Sequence, residues 1–296
     1  MIQDIAPWRL RNEFQDIRPS DDDMVFDVDE NGLLLLSDER RPPFVREWQK
    51  YGNREELIYA FRLTKDGARD GGDSGFRTAI HQARELCCVL PLHQRGATSV
   101  TPDGWMRTAP SALRGEAGPL PFAAATAQHL SRWYDSHRFC GRCGTSLHHS
   151  RTERALLCPS CGLVSYPVIA PCVLVAVTCG ERILLTRYAR PGASRLVLVA
   201  GFVEIGETAE QAAAREVMEE TGLRIKNLRY TGSQPWGFSG SLAFGFLAEL
   251  DGPDAVHLDT SELAEARWVK RDDIPPCPDE SSLTMTMIAR FSRGEL

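Results

Sequence analysis

Apolar stretches alternate with turns throughout the C-terminal half of the chain. The segment "CVLVAVTCGERILLTRYA" (172–189) predicts a β-hairpin that turns at Cys179-Gly180-Glu181, and "LVLVAGFVE" (196–204) predicts the next strand. Further strands are predicted at 227–235, 241–250 and 265–274, and helices at 207–222 and 280–293. This order of elements predicts an α+β fold in which helices cover a small sheet.

The N-terminal half has shorter apolar stretches. Strands are predicted in "MVFDV" (24–28), "LLLLS" (33–37) and "ELIYAFRL" (56–63), and a hairpin is predicted around Pro102-Asp103-Gly104 over 99–107. The segment 76–91 predicts a helix that stops at Pro91, with an extended conformation as the alternative for part of it. A second helix is predicted over 122–138 after Pro121. The first 120 or so residues contain no pattern that indicates a chemistry.

The helix predicted over 207–222 has clear boundaries and an unusual acidic face. Thr208 suits the N-cap, Gln211 completes a capping box, and Gly222 is the usual residue just past a helix end. At 100° per residue, three of its five glutamates fall within one arc of about 100°. These acids are Glu216, Glu219 and Glu220.

Three like charges on adjacent helical turns repel one another. Ala209, Ala212 and Ala213 share their arc, so another segment can approach closely. A divalent cation would resolve the repulsion, because Mg²⁺ and similar hard cations prefer carboxylate oxygens. A solvated acidic face is the competing interpretation.

Two CxxC pairs, "FCGRCG" and "LCPSCG", predict a structural zinc site. Cys140, Cys143, Cys158 and Cys161 supply four thiolates, which suits tetrahedral Zn²⁺ and leaves no open coordination position. A redox-active cysteine pair is the weaker alternative. Arg151 and Arg154 lie between the pairs and make the segment locally basic, so nucleic-acid contact stays open beside a purely structural clamp.

Composition narrows the class of protein. The chain has 296 residues, which suggests about two domains, and 43% hydrophobic residues suit ordinary globular cores. A formal net charge of −6 argues against general electrostatic binding to nucleic acid. The first residues show no signal-peptide pattern, and no apolar stretch is long enough to predict a membrane helix. We therefore expect a cytoplasmic protein.

The segment "GFVEIGETAEQAAAREVMEETGL", which begins at Gly201, resembles the Nudix box. Its matching positions are Gly201, Glu207, Arg215, Glu216, Val217, Glu219, Glu220, Gly222 and Leu223. In that family a loop–helix–loop holds Mg²⁺ or Mn²⁺ on glutamates, and water attacks a pyrophosphate phosphorus. The resemblance implies a Nudix α/β/α sandwich with Arg215 and Glu207 among the catalytic residues. A pyrophosphate bond suits such a site, because cations neutralise its oxygens and acidify water.

The resemblance extends to the NADH pyrophosphatase branch of the family, which it matches over nearly the whole chain. It implies an N-terminal α+β domain over 1–121, a linker helix and zinc ribbon over 122–167, and a catalytic Nudix domain over 168–296. It also implies that Tyr166 of "YPVIAP" stacks on the dinucleotide and that Glu262 of "DTSELAEARW" completes the cation site. The branch commonly forms homodimers, so we expect one here.

The marker of this branch, Ser-Gln-Pro-Trp-Pro-Phe-Pro-x-Ser, is altered in this chain to "SQPWGFSGS" (233–241). The expected substrate-binding residues are Phe202, Trp236, Tyr166, Gln234, Gly237, Phe238, Ser239 and Ser241. Gly237 and Ser239 replace two prolines, which predicts a more mobile loop and a roomier rim.

The predicted reaction is hydrolysis of the pyrophosphate of NADH, NAD⁺ or a modified NAD, giving AMP and a nicotinamide mononucleotide. Removal of the NAD cap from RNA is the alternative, with Arg151 and Arg154 as its expected footprint. A non-enzymatic nucleotide sensor is a third hypothesis, which the intact Nudix box disfavours.

Overall fold

Two structural units share the chain. The computed structural model describes residues 1–65, 83–92, 101–276 and 279–296. The N-terminal unit contains residues 2–168 together with 237–239, and the C-terminal unit contains Met1, 169–236 and 240–296. The further boundary between 121 and 122 stays a prediction.

The described residues of the N-terminal unit form three small sheets and one long helix. A four-stranded sheet has the order β1-β4-β5-β2, β3 pairs with β6, and β7, β8 and β9 form a separate sheet. Its elements are β1 Trp8–Arg11, β2 Met24–Val25, β3 Leu34–Ser37, α1 Val45–Trp48, β4 Leu57–Lys65, β5 Glu85–Pro91, β6 Trp105–Thr108, α2 Leu120–Ser136, β7 His148–His149, β8 Leu156–Leu157 and β9 Val164–Ser165.

Strand β5 corrects the helix predicted over 76–91, of which 76–82 lies outside the described residues. Leu86, Cys88 and Leu90 pack into one core of this unit, whereas Val89 packs into another, beside Trp48. A strand buried on both faces is apolar throughout, so its sequence is hard to tell from that of a buried helix.

Strand β6 corrects the local hairpin predicted over 99–107. The turn forms, since Trp105 N donates to Pro102 O at 3.1 Å. The partner of β6, however, is the distant strand β3, with Leu34 opposite Thr108 and Ser37 opposite Trp105. Residues 99 and 100 lie outside the described part of the chain.

The C-terminal unit is an α/β/α sandwich, as predicted. Its six-stranded mixed sheet has the order β13-β14-β10-β11-β15, with β12 on β10, and the β10–β14 pair is parallel. Its elements are β10 Ala170–Cys179, β11 Arg182–Tyr188, β12 Val199–Phe202, α3 Ala209–Thr221, β13 Ile225–Trp236, β14 Ser241–Leu250, β15 Leu263–Lys270 and α4 Leu283–Ser292.

Period-two alternation in β10 produces the two faces of this sheet. Val173, Val175 and Val177 pack in the core that contains Ala213 and Val217 of α3. Ala176 instead belongs to the core that contains Met287 and Phe291 of α4. Each helix thus covers one face, and α3 carries the acidic residues. Within the described residues, no helix has both the length and the apolar character to span a membrane.

Phe291→Ala should weaken the face of the sheet that α4 covers. Phe291 is 1% exposed, and loss of a buried phenylalanine costs about 3–5 kcal/mol of unfolding free energy. Denaturant unfolding measures this change. Met285→Ala is the control, because Met285 on the same helix is only half-buried and should cost much less. Equal losses for both variants would contradict the packing described.

Candidate active site and metal centres

Helix α3 begins and ends at the predicted residues. Thr208 Oγ1 accepts a hydrogen bond from Gln211 N at 3.2 Å, and Gln211 Oε1 accepts one from Thr208 N at 2.8 Å. Gly222 ends the helix in the left-handed conformation, with φ of 68°. Local sequence therefore fixes the register of the acidic face.

Of the three acids on α3 that are predicted to bind the cation, two are buried. Glu220 is 3% exposed and Glu216 is 8% exposed, whereas Glu219 stays in solvent. Gly201 at the end of β12 makes room for Glu216, because a Cβ there would lie 1.9 Å from Glu216 Cδ. The close packing of β12 against α3 therefore requires a glycine at position 201. The solvated-face interpretation is wrong for Glu216 and Glu220.

Arg215 connects the acidic face to the preceding loop. Its guanidinium donates to both oxygens of Glu207, at 2.6 and 3.1 Å, and to the Phe202 carbonyl at 2.9 Å. It also donates to Glu216 at 2.8 Å and to Glu219 at 2.9 Å. Hydrogen bonding from Arg215 lowers the pKa of Glu207. The Arg215 guanidinium therefore binds three carboxylates and the end of strand β12.

Among the described residues, none gives Glu220 such a counter-charge. In the same part of the chain, no group forms a hydrogen bond with its buried Oε2 atom. Burial first, and then the charges of Glu216, Glu262 and Asp259, raise its pKa to about 8. Burial also raises the pKa of Glu216, although Arg215 opposes that shift.

The chain after α3 brings Glu262 to this face. Asp259 N donates to the Glu220 carbonyl at 3.0 Å, and Ala189 N donates to the Glu262 carbonyl at 2.8 Å. The predicted acids Glu216, Glu220 and Glu262 therefore share one electrostatic environment. Tyr188, which the sequence did not single out, belongs to it too: burial, and then the charge of Glu220, raise its pKa to about 12. Its place at an apolar strand end gives no sequence signal.

The ring and loop residues predicted to bind substrate fall into several environments. Phe202 at the end of β12 is 54% exposed, and Trp236 at the end of β13 is half-buried. Tyr166, in the N-terminal unit, is 54% exposed and donates to Glu153 Oε1 at 3.3 Å. Phe238 is half-buried and Ser239 exposed, whereas Ser241 is buried.

Gln234 is used within the fold. It is 2% exposed, its Nε2 donates to Ser281 O at 3.0 Å, and its Oε1 accepts from Leu283 N at 2.6 Å. The amide thus connects β13 to the first residues of α4. Its predicted contact with substrate stays a prediction.

The four predicted zinc ligands converge. Their sulfur atoms all lie within 4.8 Å of one another, with Cys140 and Cys161 at 3.5 Å and Cys143 and Cys158 at 3.4 Å. Two equivalent turns present them, because Gly144 N donates to Cys140 O and Gly162 N donates to Cys158 O. Hydrogen bonding with Thr145 lowers the pKa of the Cys143 thiol to about 6. Thiolates at such distances fit one tetrahedral Zn²⁺.

Two family models match the chain in this order. Residues 135–166 match the NADH pyrophosphatase zinc ribbon domain, and residues 168–289 match the NUDIX domain. The chain is also 47% identical over 266 residues to the NAD-capped RNA hydrolase NudC of Salmonella heidelberg (strain SL476), covering 90% of this chain and 95% of that protein. The protein of the same name from Salmonella typhimurium matches with the same identity and coverage. This chain belongs to the Nudix hydrolase family.

Solved structures include Nudix relatives of lower identity. A crystal structure of a NUDIX hydrolase from Nitrosomonas europaea is 24% identical, with a TM-score of 0.45, and covers 53% of this chain and 90% of that chain.

The residues of this Nudix hydrolase fit both metal cofactors, structural Zn²⁺ and catalytic Mg²⁺ or Mn²⁺. The cysteine quartet is preassembled for zinc. Among the described residues, no other group of three or more His, Cys, Asp or Glu side chains brings its ligand atoms this close together. The carboxylates differ, because Arg215 draws Glu216 and Glu219 to itself. The buried, unpartnered oxygen of Glu220 is the observation that fits a cation there.

Cys158→Ser should remove zinc and destabilise the protein. Metal binding and folding are coupled in such sites, so we expect a loss of about 3 kcal/mol or more in unfolding free energy. Metal analysis should find one zinc per wild-type chain and less than one in the variant. Cys179→Ser, outside the quartet, is the control and should keep its zinc. Wild-type protein without zinc would refute the assignment.

Proposed function

We propose that this Nudix hydrolase cleaves the pyrophosphate bond of NADH, NAD⁺ or a modified NAD, giving AMP and a nicotinamide mononucleotide. The observation that carries the proposal is the buried, unpartnered oxygen of Glu220 beside the charges of Glu216 and Glu262. Such a cluster is unfavourable by itself and favourable around a divalent cation.

The residues of the cluster have separate roles in this proposal. Glu216, Glu219 and Glu220 hold Mg²⁺ or Mn²⁺, and Glu262 serves as a further ligand or as a base. The cation supplies positive charge for the phosphate oxygens and acidifies water. Arg215 orients Glu216 and Glu219, and Glu207 orients Arg215 through its two-oxygen contact.

Aromatic rings supply the dinucleotide specificity. Exposed phenylalanine is unfavourable in water, so Phe202 offers a stacking face for a base or a nicotinamide. The Phe202 carbonyl accepts a hydrogen bond from Arg215, so the residue that carries this ring is bonded directly to the Arg215 network. Trp236, Phe238 and Tyr166 are proposed as further ring contacts.

Removal of the NAD cap from RNA is the second candidate, because the Salmonella relatives at 47% identity are named for that activity. The same bond would be cleaved. Of the predicted footprint, Arg151 is exposed, whereas Arg154 Nη2 donates to Asn12 O at 3.3 Å within the N-terminal unit. Arg151 is thus the better candidate for contact with RNA. A homodimer and a cytoplasmic location are further proposals.

Glu220→Gln should lower kcat for NADH on the order of 10² or more, with a smaller effect on KM, because the lost charge acts on the transition state. Initial rates with Mg²⁺ or Mn²⁺ measure this for NADH, NAD⁺ and NAD-capped RNA. Glu210→Gln, in the exposed first turn of the same helix, is the control and should keep wild-type rates.

Two outcomes would contradict the proposal. Near-normal kcat in Glu220→Gln would show that catalysis does not need the Glu220 carboxylate. Wild-type protein that hydrolyses capped RNA but neither NADH nor NAD⁺ would favour the second candidate.

A further inference from the structure

We infer that Gly237 and Arg132 are positioning residues that hold the loop 237–239 on helix α2 and thereby set the position of Phe238, a proposed substrate contact. The inference rests on the proposed function for the role of Phe238. The loop connects β13 to β14 and carries Phe238, directly after Trp236.

Gly237 makes a contact that no other residue can make. A Cβ at this position would lie 2.1 Å from the carbonyl oxygen of Ala125 and 2.6 Å from its carbonyl carbon. These are backbone atoms of α2, which cannot swing aside like a flexible side chain. Gly237 is not among the residues with positive φ, so the glycine is required by close approach rather than by backbone conformation.

Arg132 makes the second contact of the loop. Its Nη1 donates to the Phe238 carbonyl oxygen. Ala125 and Arg132 are seven residues apart, so they lie on the same face of α2, roughly 10 Å apart along its axis. The helix therefore holds two consecutive loop residues from one side.

Helix α2 is tightly packed where it contacts the loop. Ala123, Ala124 and Ala125 are all 2% exposed or less. Packed backbone of this kind does not yield to an approaching atom, so a side chain at 237 would displace the loop instead. The displacement needed to relieve a 2.1 Å contact is about 1 Å.

These contacts change what the altered marker segment predicts about the mobility of the loop. The sequence predicted that glycine and serine loosen the loop. The structure shows a close contact at 237 that proline, with its ring carbons, would not permit. The departure from the family marker thus replaces one restraint on the loop with another, and the position of Phe238 depends on α2.

The effect of losing the restraint falls on substrate binding. Phe238 on this loop is proposed to contact the dinucleotide before and during the reaction, so moving it weakens binding of the ground state and of the transition state alike. Such uniform loss raises KM and leaves kcat nearly unchanged.

The experiment uses the full-length protein with Gly237→Ala, Arg132→Met and Arg132→Lys. Hydrogen exchange of the amides of 237–241 reports whether the loop is held, and kcat and KM for NADH report its consequence. We expect at least tenfold faster exchange and an approximately tenfold higher KM in Gly237→Ala, with kcat within about threefold. Arg132→Met should show smaller changes in the same direction, and Arg132→Lys should recover most of them.

Gly52→Ala is the matched control. A Cβ at Gly52 would lie 2.3 Å from the Trp48 ring, so this variant introduces a comparable clash in the same unit. It should lower stability without changing loop exchange or KM. A purely structural role for Gly237 would make the two variants alike.

Each outcome decides one statement. Unchanged loop exchange in Gly237→Ala overturns the anchor. Faster exchange with unchanged KM overturns the role of the loop in substrate binding. Wild-type protein that does not hydrolyse NADH refutes the proposed function, while the exchange measurement still decides whether α2 holds the loop.

Discussion

The burial of two carboxylates on one helix is the constraint on which the C-terminal unit depends. Ionised carboxylates lose favourable hydration when they are buried, so each needs a positive partner or a proton. Glu216 has Arg215. Glu220 has none among the side chains that the structure describes, and burial beside other acids raises its pKa to about 8. In the proposed function, a cation completes this site.

The surrounding fold accommodates this constraint. Gly201 leaves space for the Glu216 carboxylate, and Ala212 and Ala213 keep the helix close to the sheet. Arg215 joins the loop, the helix and the end of β12 through hydrogen bonds to Glu207, Glu219 and the Phe202 carbonyl. The same guanidinium therefore fixes both the carboxylates and the backbone of a ring proposed to bind substrate.

Local signals in the sequence predicted the parts of the structure that depend on local geometry. The ends of α3 and the turns that present Cys140 and Cys158 follow from caps and glycines a few residues away. The identity of β5 and the partner of β6 depend on distant segments, so composition alone could not reveal them. The use of the Gln234 amide on α4, and the contact of Gly237 with Ala125, also arise from tertiary packing.

The pH dependence of Mn²⁺ binding tests the central claim most directly, by electron paramagnetic resonance of free Mn²⁺ between pH 6 and 9. Burial raises the pKa of Glu220 in the metal-free fold to about 8, so the protonated carboxyl is favoured at neutral pH. The folding stability that comes from this protonation is present at low pH and is lost as the pH rises through 8. Cation binding needs the ionised form, so affinity should rise up to roughly tenfold per pH unit below 8 and then level off. Glu220→Gln should bind Mn²⁺ more weakly and lose most of this pH dependence. Wild-type affinity that does not change with pH, or a Gln variant with wild-type affinity, would contradict the account.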